Sequence, residues 1–339
     1  MTKRSIDRET KVFIKRATQY HERNTWLPLS GILLSVFVFS SCWSSKVIVD
    51  NNLKVHHDFC IFHNIIDSET INSEKGDSIV ESEPLLSQYI SRKELLIAYA
   101  TGTLSLFEKL ASETGDSSLR AKLDLVLYEL KIQERIQQIR TEIDAVSGEL
   151  DCEAKRATEI AFYLDNQNKK SVTELTVAAI IAAAITTVAP VLIKDQGLQN
   201  SVVVSGGVAS VGLSLLTLNP AGKKVRMTHY INLLGDIWYQ PKKSTIYSAQ
   251  LWFILTSKKL SNNQMYSKVE NIKMRWLKFE LNNSIDRSTE TLLFGQGGLY
   301  TEDNLNLRTA MLNEVQAAVQ SVNEDLLSIL ATTRKFEGK

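Results

Sequence analysis

Two uncharged apolar runs near the middle of the chain dominate its sequence. The first is LTVAAIIAAAITTVAPVLI, Leu175–Ile193, and the second is SVVVSGGVASVGLSLLTL, Ser201–Leu218. Only KDQGLQN, Lys194–Asn200, joins them. A helix of about 18–20 apolar residues is long enough to cross the roughly 30 Å hydrocarbon core of a bilayer. Because so short a connection makes the two helices antiparallel neighbours, the sequence predicts an apolar helical hairpin of transmembrane length.

Small residues recur every four positions inside both runs. Such stripes let helix backbones approach closely, which is how helices associate in lipid. Basic residues stand at the outer ends of the hairpin and suit lipid headgroups. The stripe residues are Ala178, Ala182, Thr186, Gly206, Ser210 and Ser214, and the predicted headgroup contacts are Lys169, Lys170, Lys223, Lys224 and Arg226.

A second interpretation of the hairpin stays open. Its many Ser and Thr residues make it less apolar than a typical spanning helix, and this suits an Ala- and Gly-rich hairpin buried in a helical bundle. The basic flanks also favour a cytoplasmic location under the positive-inside rule, whereas the N-terminus predicts export. Insertion after export, or no insertion at all, reconciles the two.

Long heptad seams lie on both sides of the hairpin. Before it, Ile132, Ile139 and Val146 recur every seven residues, in a region without proline. After it, Leu305, Leu312, Val319 and Leu326 do the same in a helix that starts at Thr301. Each seam needs a partner, and the other seam is the obvious one. The same seams are the predicted faces for homo- or hetero-oligomer assembly.

These patterns predict an all-α fold, an elongated coiled-coil-like helical bundle with the apolar hairpin at its centre. Five regions follow along the chain: 1–42, a signal or anchor; 43–84, a His-containing segment and acidic linker; 85–170, long coiled-coil helices; 171–226, the hairpin; and 227–339, helices that complete the bundle. A glycine turn is predicted at Phe294–Tyr300.

The N-terminus has the pattern of an export signal. A basic region precedes the apolar stretch Leu27–Phe39, and FSSC, Phe39–Cys42, follows. Small residues directly before a cysteine resemble the lipobox of bacterial lipoproteins, which implies that Cys42 is lipidated and that the protein is exported to the cell envelope. An uncleaved anchor helix is the alternative, with Cys42 an ordinary thiol.

Two further cysteines and a histidine patch are candidates for a disulfide and a metal site. In an oxidising compartment Cys60 and Cys152 can form a disulfide, and two free thiols fit the sequence equally well. His56, His57, Cys60 and His63 are of the residue types that bind zinc or copper, but their spacing matches no known finger. Local packing or a solvated turn is the plainer interpretation of this patch.

Composition and motifs restrict the function further. With 39 Lys and Arg against 38 Asp and Glu, the formal charge of +1 gives no argument for a nucleic-acid partner. The sequence contains no P-loop, GxSxG, HExxH or paired CxxC motif, so we expect no enzyme and no cofactor.

The layout of residues 117–339, with heptad helices flanking an apolar hairpin, resembles the α-helical pore-forming toxins of the cytolysin A and haemolysin BL type. The resemblance implies a hairpin that is sheltered in a soluble form and inserts into a bilayer on assembly. We therefore expect an exported membrane protein that inserts or anchors through the hairpin and assembles through its coiled-coil faces. The alternatives are a scaffolding lipoprotein tethered by Cys42 and, more weakly, a metal-handling module.

Overall fold

The computed structural model describes residues 47–48, 60, 71, 86–192, 203, 206–207, 209–211, 213–214 and 222–336, without the side chains of 47, 48, 185, 186 and 188–192. Within these ranges the fold is all-α, as predicted, with three short strands added. The helices are α1 Arg92–Thr101, α2 Leu104–Glu113, α3 Leu119–Leu192, α4 Gly235–Tyr239, α5 Ala249–Thr256, α6 Lys268–Arg275, α7 Arg287–Phe294 and α8 Glu302–Thr333. The strands are β1 Val47–Ile48, β2 Lys224–Thr228 and β3 Gly297–Tyr300.

Helix α3 is 74 residues long and is the main element of the fold. Ser118 caps its start, because the Ser118 hydroxyl accepts a hydrogen bond from the Ala121 N–H at 3.1 Å. The helix continues across the predicted boundary between residues 170 and 171, because α3 runs on into the first apolar run and ends at Leu192. Within α3 no proline precedes Pro190 to interrupt the backbone hydrogen bonds, and the alanine-rich sequence favours the helix.

Side-chain caps fix the starts of the other long helices. A capping box starts α1: the Ser91 N–H donates to Glu94 Oε2 at 2.8 Å, and the Glu94 N–H donates to Ser91 Oγ at 3.3 Å. The predicted start of α8 is confirmed, with the Thr301 hydroxyl accepting from the Asn304 N–H at 3.2 Å.

The strands form one sheet in the order β1-β2-β3. β2 and β3 are antiparallel, with Val225 opposite Tyr300 and Thr228 opposite Gly297. The glycine turn predicted at Phe294–Tyr300 is therefore corrected, since most of that stretch is a strand. Gly297 has φ +85°, and a Cβ atom there would clash with the Met227 carbonyl oxygen. The partner strand lies some 70 residues earlier, so no local pattern reveals the pairing.

The chain folds as two units. The first contains Ile48–Tyr163 and Val225–Lys339, and the second contains Met1–Val47 and Leu164–Lys224. In the first unit α8 packs on α1, α5 and α6, and the Trp238 and Phe294 rings stack at 4.3 Å. In the second unit Asn168 Oδ1 accepts a hydrogen bond from the Lys223 N–H at 2.9 Å, which joins the end of the hairpin region to α3.

Candidate functional site

The first apolar run forms the end of α3 and presents apolar side chains to solvent. Val177 is 50% exposed, Ile180 is 64% exposed and Ile181 is 55% exposed. Ala184 is exposed too. The spacing of three and four places these four residues on one face of the helix, which we call the α3 end face. An apolar face of this kind lowers its free energy when lipid or protein covers it.

The predicted small-residue stripes lie next to this face or in the second run. Ala178 and Ala182 are half-buried, as are Gly206 and Ser210. Ser214 is exposed, and its hydroxyl donates to the Ser210 carbonyl at 2.8 Å, in a helical segment. The side chain of Thr186 lies outside the described residues. The described residues of both stripes lie in helical segments. Any contact between the two stripes falls outside the described residues.

Among the described residues, none of the helices is both long enough and apolar enough to cross a membrane. The side chains of 185, 186 and 188–192 and most of Ser201–Leu218 lie outside that description. The transmembrane-length hairpin accordingly remains a prediction of the sequence.

The predicted headgroup contacts differ in their exposure to solvent. Lys170 and Arg226 are exposed. Lys169 is exposed and pairs with Asp165, with Nζ and Oδ2 2.6 Å apart. Lys223 is half-buried, and its Nζ donates to Gln167 Oε1 at 3.1 Å, while Lys224 is half-buried at the start of β2. The exposed cations are therefore the ones best placed for headgroups.

The predicted assembly seams pack inside the chain. The Ser147 hydroxyl on α3 accepts from Gln320 Nε2 on α8 at 2.9 Å, and the Thr158 and Thr309 hydroxyls lie 3.3 Å apart. The residue number on α8 falls as that on α3 rises, so the helices are antiparallel. The seam residues are at most 8% exposed, and their surface is thus already covered within one copy: Ile132, Ile139, Val146, Leu305, Leu312, Val319 and Leu326.

The N-terminal predictions fall mostly outside the described residues. This applies to Cys42 and to His56, His57 and His63. Cys60 is described, and it forms a disulfide with Cys152 in the middle of α3. The choice between a disulfide and two free thiols is thereby decided for the disulfide. The prediction of Cys60 as a metal ligand is corrected, because a disulfide sulfur is not the thiolate that binds metal.

Sequence reasoning missed a second exposed apolar surface, at the start of α3. Leu119, Leu123, Val126 and Leu130 are 86%, 59%, 52% and 54% exposed, and we call them the α3 start stripe. Their spacings of four, three and four are those of a coiled-coil seam. The buried seam lies on the far side of the same helix and has the same type of spacing, so only burial separates the two surfaces.

A buried polar cluster in the first unit was also missed. The Arg308 side chain is fully buried, and its Nη1 donates to the Leu293 carbonyl at 2.9 Å and to Asn232 Oδ1 at 3.1 Å. Burial lowers the pKa of Arg308 and raises the pKa of Tyr300. The Tyr300 hydroxyl lies 2.8 Å from His229 Nε2. These groups tie α8, α7 and the sheet together.

Comparison with protein-family models, with curated proteins and with solved structures found no match to this chain.

Proposed function

We propose that this protein is an exported helical protein of the cell envelope that binds a lipid bilayer through residues 175–218. The observation that carries the proposal is the exposed α3 end face, with Val177, Ile180 and Ile181 on one side of a helix. Partition of this face into a bilayer removes apolar surface from water without unfolding the first unit.

Two further observations support the proposal. Cys60 and Cys152 form a disulfide, and disulfides persist mainly in exported proteins. The exposed cations Lys169 and Lys170 precede the apolar run by about one and a half helical turns, where anionic headgroups attract them. The lipid that the N-terminal pattern predicts on Cys42 would provide a second means of attachment.

In this proposal the hairpin inserts as a helical pair, and its small-residue stripes hold the two helices together. Pore formation by several copies is what the toxin-like layout implies. We also infer a non-enzymatic role, on the absence of any catalytic motif from the sequence.

Flotation with vesicles of neutral and anionic phospholipid tests the exposed face directly. We expect Ile180→Asp and Ile181→Asp to lower the bound fraction roughly tenfold or more, because a carboxylate is costly in hydrocarbon. Phe279→Asp is the matched control, since Phe279 is 66% exposed in the first unit and should leave binding unchanged. Equal binding by all three variants would contradict the proposal.

Carbonate extraction of cell membranes distinguishes attachment through the hairpin from attachment through a lipid on Cys42. We expect the full-length protein to resist extraction and a deletion of Leu175–Leu218 to be extracted. If the deletion resists extraction and Cys42→Ser is extracted instead, the protein is a scaffolding lipoprotein that is tethered by Cys42. Dye leakage from the same vesicles, lost in Ala182→Asp, tests the pore.

A further inference from the structure

The α3 start stripe has the spacing of a coiled-coil seam, and no other described part of the first unit covers it. At 3.6 residues per turn its four residues fall within an arc of about 60°. Leu127, 43% exposed, adjoins the stripe on one side. The buried seam of α3 lies on a different face of the helix, so the stripe can take a partner without disturbing the fold of one copy.

Charged residues flank the stripe, and the sign of their charge changes along the helix. Lys122 and Glu129 border one edge, and Arg120 and Glu134 border the other. On each edge the basic residue comes first and the acidic residue follows seven or more positions later. The flanks are therefore basic towards the start of α3 and acidic further on.

This order selects the direction in which a second α3 can pack. In a parallel pair Glu129 of one copy faces Glu134 of the other, which places like charges together. In an antiparallel pair Lys122 of each copy faces Glu129 of the other copy. The same register places Leu119 against Leu130 and Leu123 against Val126, so all four stripe residues find apolar partners.

A groove at one end of the stripe can accept the end of such a helix. It lies between α3 and the end of α8, has a volume of about 720 Å³ and is lined by Leu130, Gln133, Leu327, Leu330 and Ala331. Leu327 is 66% exposed at its edge. In the antiparallel register the first residue of the other helix, the highly exposed Leu119, reaches this groove.

We propose that two copies of this protein associate through the α3 start stripe, packed antiparallel about a two-fold axis. The contact is isologous, so each stripe residue and each charge pair occurs twice. The inference does not rest on the proposed membrane function, because the stripe and the groove belong to the first unit.

Light scattering after size-exclusion chromatography, with full-length protein in mild detergent, tests the association. We expect a mass that rises with concentration from 38.1 kDa towards twice that value. Val126→Glu should keep the protein at the monomer mass. A wild-type protein that stays monomeric at every concentration overturns the proposal.

Charge exchange tests the register without touching the apolar residues. Lys122 and Glu129 suit it because Lys122 is exposed, and Glu129 accepts a hydrogen bond from Gln133 within its own copy, which makes Lys122→Glu the cleaner of the two changes. We expect Lys122→Glu and Glu129→Lys each to weaken dimerisation roughly tenfold, since two symmetry-related attractive pairs become repulsive. The double variant should restore it. Arg287→Glu, at an exposed site on α7, is the matched control and should have no effect.

Cysteine cross-linking fixes the direction. Leu119→Cys with Leu130→Cys should cross-link between copies, and Leu119→Cys alone should not, because two Leu119 residues lie about 16 Å apart along the antiparallel pair. Efficient cross-linking of Leu119→Cys alone, or a dimer that Lys122→Glu leaves unchanged, overturns the antiparallel assignment.

Discussion

The disulfide between Cys60 and Cys152 joins the segment before the acidic linker to the middle of α3, with the two Cα atoms 5.8 Å apart. It closes a loop across a sequence separation of 92 residues. Long loops gain the most from such a link, because the unfolded chain loses the largest number of conformations.

Removal of this disulfide should therefore be costly. We expect Cys60→Ser, Cys152→Ser or added reductant each to lower the free energy of unfolding by about 4 kcal/mol. Urea unfolding followed by tryptophan fluorescence gives the value. The double variant should match either single variant and ignore reductant, which is the internal control. Equal unfolding midpoints with and without reductant in the wild type would refute the prediction.

Asp325 on α8 is a second point where distant parts of the first unit meet. The carboxylate is 6% exposed and pairs with Lys93 Nζ at 2.7 Å and with Lys268 Nζ at 3.3 Å, which connects α1 and α6 to α8. We expect Asp325→Asn to cost about 2–4 kcal/mol, since it leaves two cations without their shared anion. Glu324→Gln removes the same charge from the neighbouring exposed position and should change stability by less than about 0.5 kcal/mol. Similar effects of both substitutions would argue against the ion pair as the cause.

Alkaline pH should destabilise the fold through Tyr247. This side chain is fully buried, and its hydroxyl donates to the Leu233 carbonyl at 2.7 Å. Burial, together with the charge of Asp236, raises the pKa of Tyr247 far above its usual value near 10. Above that pH the unfolded chain loses a proton that the folded chain keeps, so stability is present below pH 10 and falls as the pH rises.

The measurement is urea unfolding at several pH values between 9 and 11. We expect Tyr247→Phe to reduce the loss of stability by about 1.4 kcal/mol per pH unit above pH 10. Tyr230→Phe is the control, because Tyr230 is 93% exposed and should leave the pH dependence unchanged. Parallel profiles for Tyr247→Phe and the wild type would show that Tyr247 does not carry the effect.

Substitution by alanine should have opposite effects on stability at two glycines. Gly297 has φ +85° and faces the Met227 carbonyl, so Gly297→Ala should destabilise by at least about 1–3 kcal/mol and disturb the β2–β3 pair. Gly148 lies inside α3, with no atom within 4 Å of an added Cβ, so Gly148→Ala should stabilise by about 0.5–1 kcal/mol. Thermal unfolding of both variants measures the contrast, and shifts of the same sign would contradict it.

The helical part of the fold was predictable because its signals are local. Ser91 with Glu94 and Thr301 with Asn304 fix helix starts within three residues. The spacing of Ile132 to Val146 and of Leu305 to Leu326 marks two faces that need cover, and the structure packs them on each other. The N-terminal part of the prediction, including Cys42, depends on residues outside the described part of the chain.

The surfaces were harder to predict, since exposure is decided by what packs nearby. The seam at Ile132 and the stripe at Leu123 have the same spacing on the same helix, yet α8 covers only the first. For this reason the sequence did not distinguish the seam that is buried within one copy from the α3 start stripe that is exposed.

The sequence by itself determined the helical class, the helix starts and the two packed seams, because residues three or four apart create these features through backbone hydrogen bonds and side-chain spacing. Only the tertiary structure decided that Cys60 meets Cys152, that Gly297–Tyr300 joins β2 as a strand, and that α3 continues through Lys170 into the apolar run. Contacts between residues 70 or more positions apart depend on how the whole chain buries its apolar surface. No local pattern encodes that result.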